Sequence, residues 1–237
     1  MGQIKQGILG GFSGRVGTVV GSSWKSVHYM RALAVSISNP RTLKQQVQRN
    51  KFTTSMSFLK AITPYVRVGY KGYSQNVTPF NAAMSYILRH GITGDGLNLT
   101  VNYPRVLVAR GSLMPAFNAA ATSTGGKVSF TWTDNSETGD ALSTDIAMPL
   151  VYNKAKGEAI YSMDAATRAD GKAELELPSS WADDALAVYL AFRSDNGERM
   201  ANSICLLNEA YEGNQDKPNG GGSGGGSGED QNENPLG

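Results

Sequence analysis

The apolar residues change their period near residue 104, from close to four to two, and this change limits the fold more than any other feature of the chain. Before it, Phe52, Met56 and Leu59 share one face of a helix, with Leu43, Val47, Phe58 and Ile62 on an adjoining face. Gln46, Arg49, Thr53, Ser57 and Lys60 fill the remaining stripe at spacings of three and four, so that stripe is the solvent side. After it, Val128, Phe130 and Trp132 alternate with Ser129 and Thr131, and Leu175 and Leu177 with Glu174 and Glu176. Val188, Leu190 and Phe192 likewise alternate with Tyr189 and Ala191. A period of two sends successive side chains to opposite faces, which is the pattern of half-buried strands.

Local signals subdivide the two regions. Residues 8–31 read as β-structure punctuated by glycine, with Gly21-Ser22-Ser23 as the turn of a hairpin before Trp24. The glycines lack the spacing of a phosphate-binding loop, because Lys25-Ser26 follows Trp24 rather than glycine, and turns or close backbone packing account for them. Asn39-Pro40, Thr63-Pro64 and Thr78-Pro79 each place an N-cap before a proline at the first helical position, so each predicts a helix start. The last helix turns Phe80, Met84, Ile87 and Leu88 inward, holds Arg89 and His90 in its final turn, and stops at Gly91. Beyond residue 104, further strands are expected near 105–110, 144–152, 157–161 and 200–207, with turns at Asp134-Asn135-Ser136 and Asp195-Asn196-Gly197. About seven strands in about 100 residues fit an immunoglobulin-like or fibronectin-like sandwich, here without the Cys-Trp-Cys pattern.

The expected fold class is therefore α+β. A basic β-hairpin and helical module occupies residues 1–103, an all-β immunoglobulin- or fibronectin-like sandwich 104–207, and a flexible, acidic Gly/Ser-rich tail 208–237. The single Cys205 cannot close an internal disulfide, and its apolar neighbours make it a buried, inert thiol. No apolar stretch is long enough for a signal peptide or a membrane span, which predicts a cytoplasmic protein or one delivered as part of an assembled particle.

Charge is segregated along the chain. Residues 1–110 carry 14 basic side chains and one acidic one, Asp95, while the remainder holds 8 of the 22 basic and 19 of the 20 acidic residues. Opposite fields on two parts of a molecule are a statement about partners. Catalytic features are scarce: His28 and His90 have no evident partner, no Gly-x-Ser-x-Gly elbow occurs, and zinc-ligand spacing is lacking. Asp134, Glu137 and Asp140 read as a solvated turn in preference to a calcium loop. The residues thus predict no catalytic site, no metal and no cofactor.

The favoured reading is a non-enzymatic structural or assembly protein whose partner is a protein, either itself or another. The second is a nucleic-acid-binding protein, with Arg41, Lys44, Arg49, Lys51, Lys60, Arg67 and Lys71 as contacts to phosphate or to an acidic partner. Phe52, Tyr65, Tyr70 and Tyr73 are interleaved with those bases and would either stack on nucleobases or pack in a core. A third is recognition of a surface or carbohydrate by the sandwich.

Two stretches carry a resemblance: Gly7-Ile8-Leu9-Gly10-Gly11-Phe12-Ser13-Gly14-Arg15-Val16-Gly17, and Asn39-Pro40-Arg41-Thr42 with Gln45, Gln46, Arg49 and Phe52. With Phe80-Asn81-Ala82-Ala83-Met84-Ser85-Tyr86 and Ala119-Ala120-Ala121-Thr122, they resemble an uncharacterised family common in gut Bacteroidetes, over about residues 1–207. That resemblance implies no activity. The Asn-Pro-Arg-Thr-x-x-Gln-Gln segment also resembles a helical element of small phage and mobile-element proteins, which by analogy points to an assembly part.

Overall fold

The computed structural model describes residues 2–4, 10–24, 27–36, 41–73, 77–182 and 184–208. The chain forms two compact units, Met1–Arg49 and Asn50–Gly237. The tail expected from residue 208 onward lies outside the described residues except for Asn208.

In the first unit, β1 (Gln3–Ile4), β2 (Phe12–Val16), β3 (Val19–Trp24) and β4 (Val27–Ala32) make one antiparallel sheet in chain order. This is larger than the hairpin expected. The turn between β2 and β3 falls at Gly17-Thr18, with Gly17 at φ +57°, whereas Gly21-Ser22-Ser23 runs inside β3. Gly21 pairs with Gly14 on one side and Met30 on the other. Its lack of a side chain serves packing: a Cβ there would strike the Phe12 carbonyl oxygen and ring, and one on Gly11 would strike the His28 ring.

Three helices follow: α1 (Leu43–Ala61), α2 (Thr63–Gly69) and α3 (Pro79–His90). Asn39-Pro40 lies outside the described residues; the start of α1 is held by Thr42, whose Oγ1 accepts from Gln45 N–H at 3.4 Å. Only the C-terminal half of α1 reaches a core, through Ser55, Phe58 and Leu59. Leu43 and Phe52, expected to face inward, are exposed. Thr63 does not cap α2, because its hydroxyl donates backward to Leu59 O at 2.9 Å and Ile62 is the N-cap. Thr78 does cap α3, accepting from Asn81 N–H at 3.3 Å, and Met84 and Ile87 are buried as the period requires.

A short hairpin of β5 (Ile92–Thr93) and β6 (Thr100–Val101) leads to residues 105–110, which are not a strand. A 3-10 turn at Tyr103–Arg105 opens that segment. Its later backbone groups find scattered partners: Val108 N–H donates to Ser203 Oγ at 2.9 Å and Arg110 N–H to Gly69 O at 2.8 Å. The strands are β7 (Phe117–Thr124), β8 (Lys127–Thr133), β9 (Ile146–Asn153), β10 (Glu158–Tyr161), β11 (Ala166–Thr167), β12 (Lys172–Glu176), β13 (Leu186–Arg193) and β14 (Ile204–Asn208). β7 had no sequence signal, since Ala119-Ala120-Ala121 shows no alternation.

One sheet runs β10-β9-β13-β14, with β11 also on β9, and the other β12-β8-β7; every pairing is antiparallel. Two antiparallel sheets around a shared core make a β-sandwich. Val128, Phe130 and Trp132 of β8 meet Val151 of β9 and Val188, Leu190 and Phe192 of β13 in the core between the sheets. The opposite face of the larger sheet is also buried. Met148, Leu150 and Tyr152 of β9 and Ala187, Tyr189 and Ala191 of β13 share a second core with Phe58, Leu59, Ile62, Tyr65, Val66 and Ile87 of the helices. β13, expected to be half-buried, is therefore enclosed on both faces, because the helices cover the side that a free sandwich would leave to water.

Candidate functional site

The β3–β4 register decides which residues of the N-terminal sheet share a face. Trp24 opposes Val27, Ser22 opposes Tyr29, and Val20 opposes both Arg31 of β4 and Arg15 of β2. Directly paired residues project to the same side. One face thus carries Trp24, Val27 and Tyr29 together with Arg15 and Arg31, and these five are exposed. All six residues of β4 are exposed, and β4 is the edge strand of its sheet. At the end of the sheet, Val19, Met30, Ala32, Leu33 and Val35 line an apolar hollow of about 640 Å³. Residues 1–49 contain seven basic and no acidic side chains. An apolar patch rimmed by one sign of charge is the form of a docking surface.

Of the basic residues singled out from sequence, Arg41, Lys44, Arg49, Lys60, Arg67 and Lys71 are exposed and Lys51 is half-buried. They do not form one site. Lys44 and Lys51, seven apart, follow one stripe of α1, while Arg49 and Lys60 lie on another, the solvent stripe. Arg67 closes α2. Tyr65 and Tyr70 are buried and hydrogen-bonded, their hydroxyls donating to Met148 O at 2.8 Å and Leu107 O at 2.9 Å. Burial pushes both phenols well above their ordinary pKa. Of the four aromatic residues that could have stacked on bases, only Phe52 and Tyr73 face solvent.

Lys71 belongs to a cleft that the sequence did not indicate. Together with Tyr73, Arg110, Ser112, Arg199 and Asn202 it lines a hollow of about 550 Å³. The guanidinium carbon of Arg110 lies 4.4 Å from the centre of the Tyr73 ring and 5.0 Å from that of Tyr86. Arg199 is ion-paired with Asp140, which also accepts from Met114 N–H at 3.0 Å. That commitment of Asp140 and the bond from Ser136 N–H to Asp134 Oδ1 at 2.9 Å tie the 134–140 turn to protein groups.

The most heavily bonded side chain is structural. Arg168 is fully buried; its Nε donates to Asp145 Oδ2 at 3.1 Å, Nη1 to Asn135 Oδ1 at 2.6 Å and Nη2 to Met114 O at 2.9 Å. Its guanidinium lies 4.0 Å from the centre of the Phe192 ring, and Trp132 packs edge-on to that ring at 5.5 Å. Burial pulls the Arg168 pKa below its ordinary value, an effect that the Asp145 carboxylate beside it partly offsets. His28 lies against Gly11, and His90 lies 4.8 Å from the Tyr86 ring. Burial pushes the Cys205 thiol up to about 11, which leaves it protonated at neutral pH. Among the described residues no three His, Cys, Asp or Glu side chains gather where they could hold a metal ion, and no helix is long and apolar enough to cross a membrane.

Residues 11–207 match the model of a family of unknown function, DUF6266, and the chain belongs to that family. No curated protein matches it.

Proposed function

We propose that this DUF6266 protein is a non-enzymatic assembly component, whose N-terminal sheet docks on the acidic surface of a second copy. The observation that carries the reading is the composite face of Trp24, Val27 and Tyr29 beside Arg15 and Arg31, exposed on a unit with no acidic side chain. Water is a poor neighbour for that combination, because a tryptophan and a tyrosine leave much apolar area uncovered while the arginines call for carboxylates. The rest of the chain, residues 50–237, supplies all 20 acidic residues against 15 basic ones. Glu174 and Glu176 stand exposed along β12, an edge strand of the sandwich, and share the single cation of Lys127 at 4.0 and 3.3 Å, which leaves one negative charge over. A basic face on one copy meeting an acidic face on the next is a heterologous contact, which propagates as rings or filaments unless its geometry closes. Light scattering across salt concentration tests this. The mass should fall as the Debye length shortens from about 30 Å at 0.01 M to about 8 Å at 0.15 M. It should also fall in Trp24→Ser with Tyr29→Ser, and a monomeric mass under every condition refutes the proposal.

A second reading draws on the same face, since exposed aromatic rings beside arginines on a sheet also suit single-stranded nucleic acid. Its affinity for an oligonucleotide would drop roughly a hundredfold between 50 and 200 mM salt if about four phosphates were neutralised. No binding at low salt would discard it.

A further inference from the structure

We infer that the cleft at the end of α2 is a binding site for a small oxyanion, a carboxylate or a phosphate, gripped by Arg110 and Lys71. Three features of the cleft support the assignment.

Arg110 and Lys71 are cations without a counter-charge. Among the described residues neither side chain has a carboxylate partner, and the Arg110 guanidinium donates no hydrogen bond to them. Of the other charges of the cleft, Arg199 is paired with Asp140, whereas Glu198 has no cationic partner among the described residues and accepts only from Asn196 Nδ2 at 3.4 Å, so Arg110 and Lys71 together still leave the cleft positive. A guanidinium has five N–H donors in a rigid fork and keeps its charge at any accessible pH, so a half-buried one without an acceptor presents those donors to whatever enters.

Arg110 is also held in place. Its side chain lies against the Tyr73 and Tyr86 rings, which orients the planar group without consuming its N–H bonds. Its backbone N–H donates to Gly69 O at 2.8 Å, which ties it to the end of α2, two residues before Lys71 in the chain. Gly69 allows this approach, because a Cβ there would lie 2.8 Å from Val108 O and 2.9 Å from the Ala109 methyl.

Nor are the two cations needed by the helix end. The last carbonyls of α2 are already bonded: Val66 O by Tyr70 N–H at 3.0 Å, Val68 O by Lys71 N–H at 2.9 Å, and Gly69 O by Arg110 N–H. Their positive charge is left for a ligand. Ser112 and Asn202 add polar groups on the wall, although Asn202 Oδ1 already accepts from Gly111 N–H at 3.2 Å. The size of the cleft, about 550 Å³, admits an oxyanion with a small organic group attached.

The test is a titration of the full chain with inorganic phosphate and, separately, with acetate at constant ionic strength, followed by the backbone N–H resonances of Gly111 and Ser112, which line the cleft and persist in every variant. A saturable shift is expected, with the tighter of the two probes naming the class of oxyanion. Lys71→Gln and Arg110→Gln should each weaken binding about tenfold or more, the loss of one charge-assisted contact. Arg110→Lys should recover part of it, and Lys60→Gln, on a different helix, should change nothing. Lys71 is exposed, so its variant stays informative even if Arg110→Gln disturbs the tyrosine packing. A shift reproduced by chloride, or an unchanged titration in Lys71→Gln, overturns the assignment.

Discussion

Replacing Arg168 by methionine tests how far one buried cation determines the order of the sandwich. The side chain is fully buried, and its loss strands Asp145, itself buried, with no positive partner. Met114 O and Asn135 Oδ1 lose their donors at the same time. Methionine keeps most of the stem and its contact with Phe192, so the loss is chiefly electrostatic and comes to about 3–5 kcal/mol. With a urea slope of about 2 kcal/mol per M, 4 kcal/mol lowers the unfolding midpoint by about 2 M. Fluorescence reports it directly, because Trp132 and Trp181 are buried. The decisive comparison is the double variant with Asp145→Leu, which removes the stranded charge. It should regain about 2 kcal/mol over the single variant, the coupling expected of groups in contact. A single variant that loses less than about 1 kcal/mol, or a double variant no more stable than the single, would refute the claim that charge pairing rather than packing holds these loops.

Four further outcomes follow from the same structure. Removal of residues 1–41 should leave the second unit folded by circular dichroism, since α1 begins at Leu43, and should abolish self-association in light scattering. Tyr65, Tyr70 and Tyr189 are buried with phenols pushed above their ordinary pKa of 10.0, so the fold keeps them neutral while the unfolded chain ionises. Their contribution is complete below pH 10 and is lost above it at about 1.4 kcal/mol per pH unit for each, so unfolding at alkaline pH should coincide with tyrosinate absorbance. At the acid end, Asp184, held below the usual carboxyl range by its bonds from Lys156 and Asn153, stabilises the fold above that range and ceases to do so as it protonates; Lys156→Met should reduce that acid dependence in urea melts. Gly21→Val should unfold the N-terminal sheet, seen as lost strand signal, because its side chain would strike Phe12.

The sequence by itself determined the elements with a clear period or a local cap. The two-residue alternation of Val128, Phe130 and Trp132 made β8 legible, and Thr78-Pro79 made the start of α3 legible, because in each the information lies within a few residues. The charge segregation was complete in the sequence, since it requires no coordinates. Tertiary structure decided what depends on distant partners. Leu186 to Phe192 is an unbroken apolar run, and read as such it would have announced burial on both faces; the alternation of large residues concealed a second face formed by Ala187, Tyr189 and Ala191. β7 was invisible because its alanines carry no pattern and its pairing comes from β8. Gly21 looked like a turn and proved to be space for Phe12. Nor could spacing bring Lys71 to Arg110, or Arg168 to Asp145, 23 residues away, because only the folded chain places those charges within reach of each other or of a ligand.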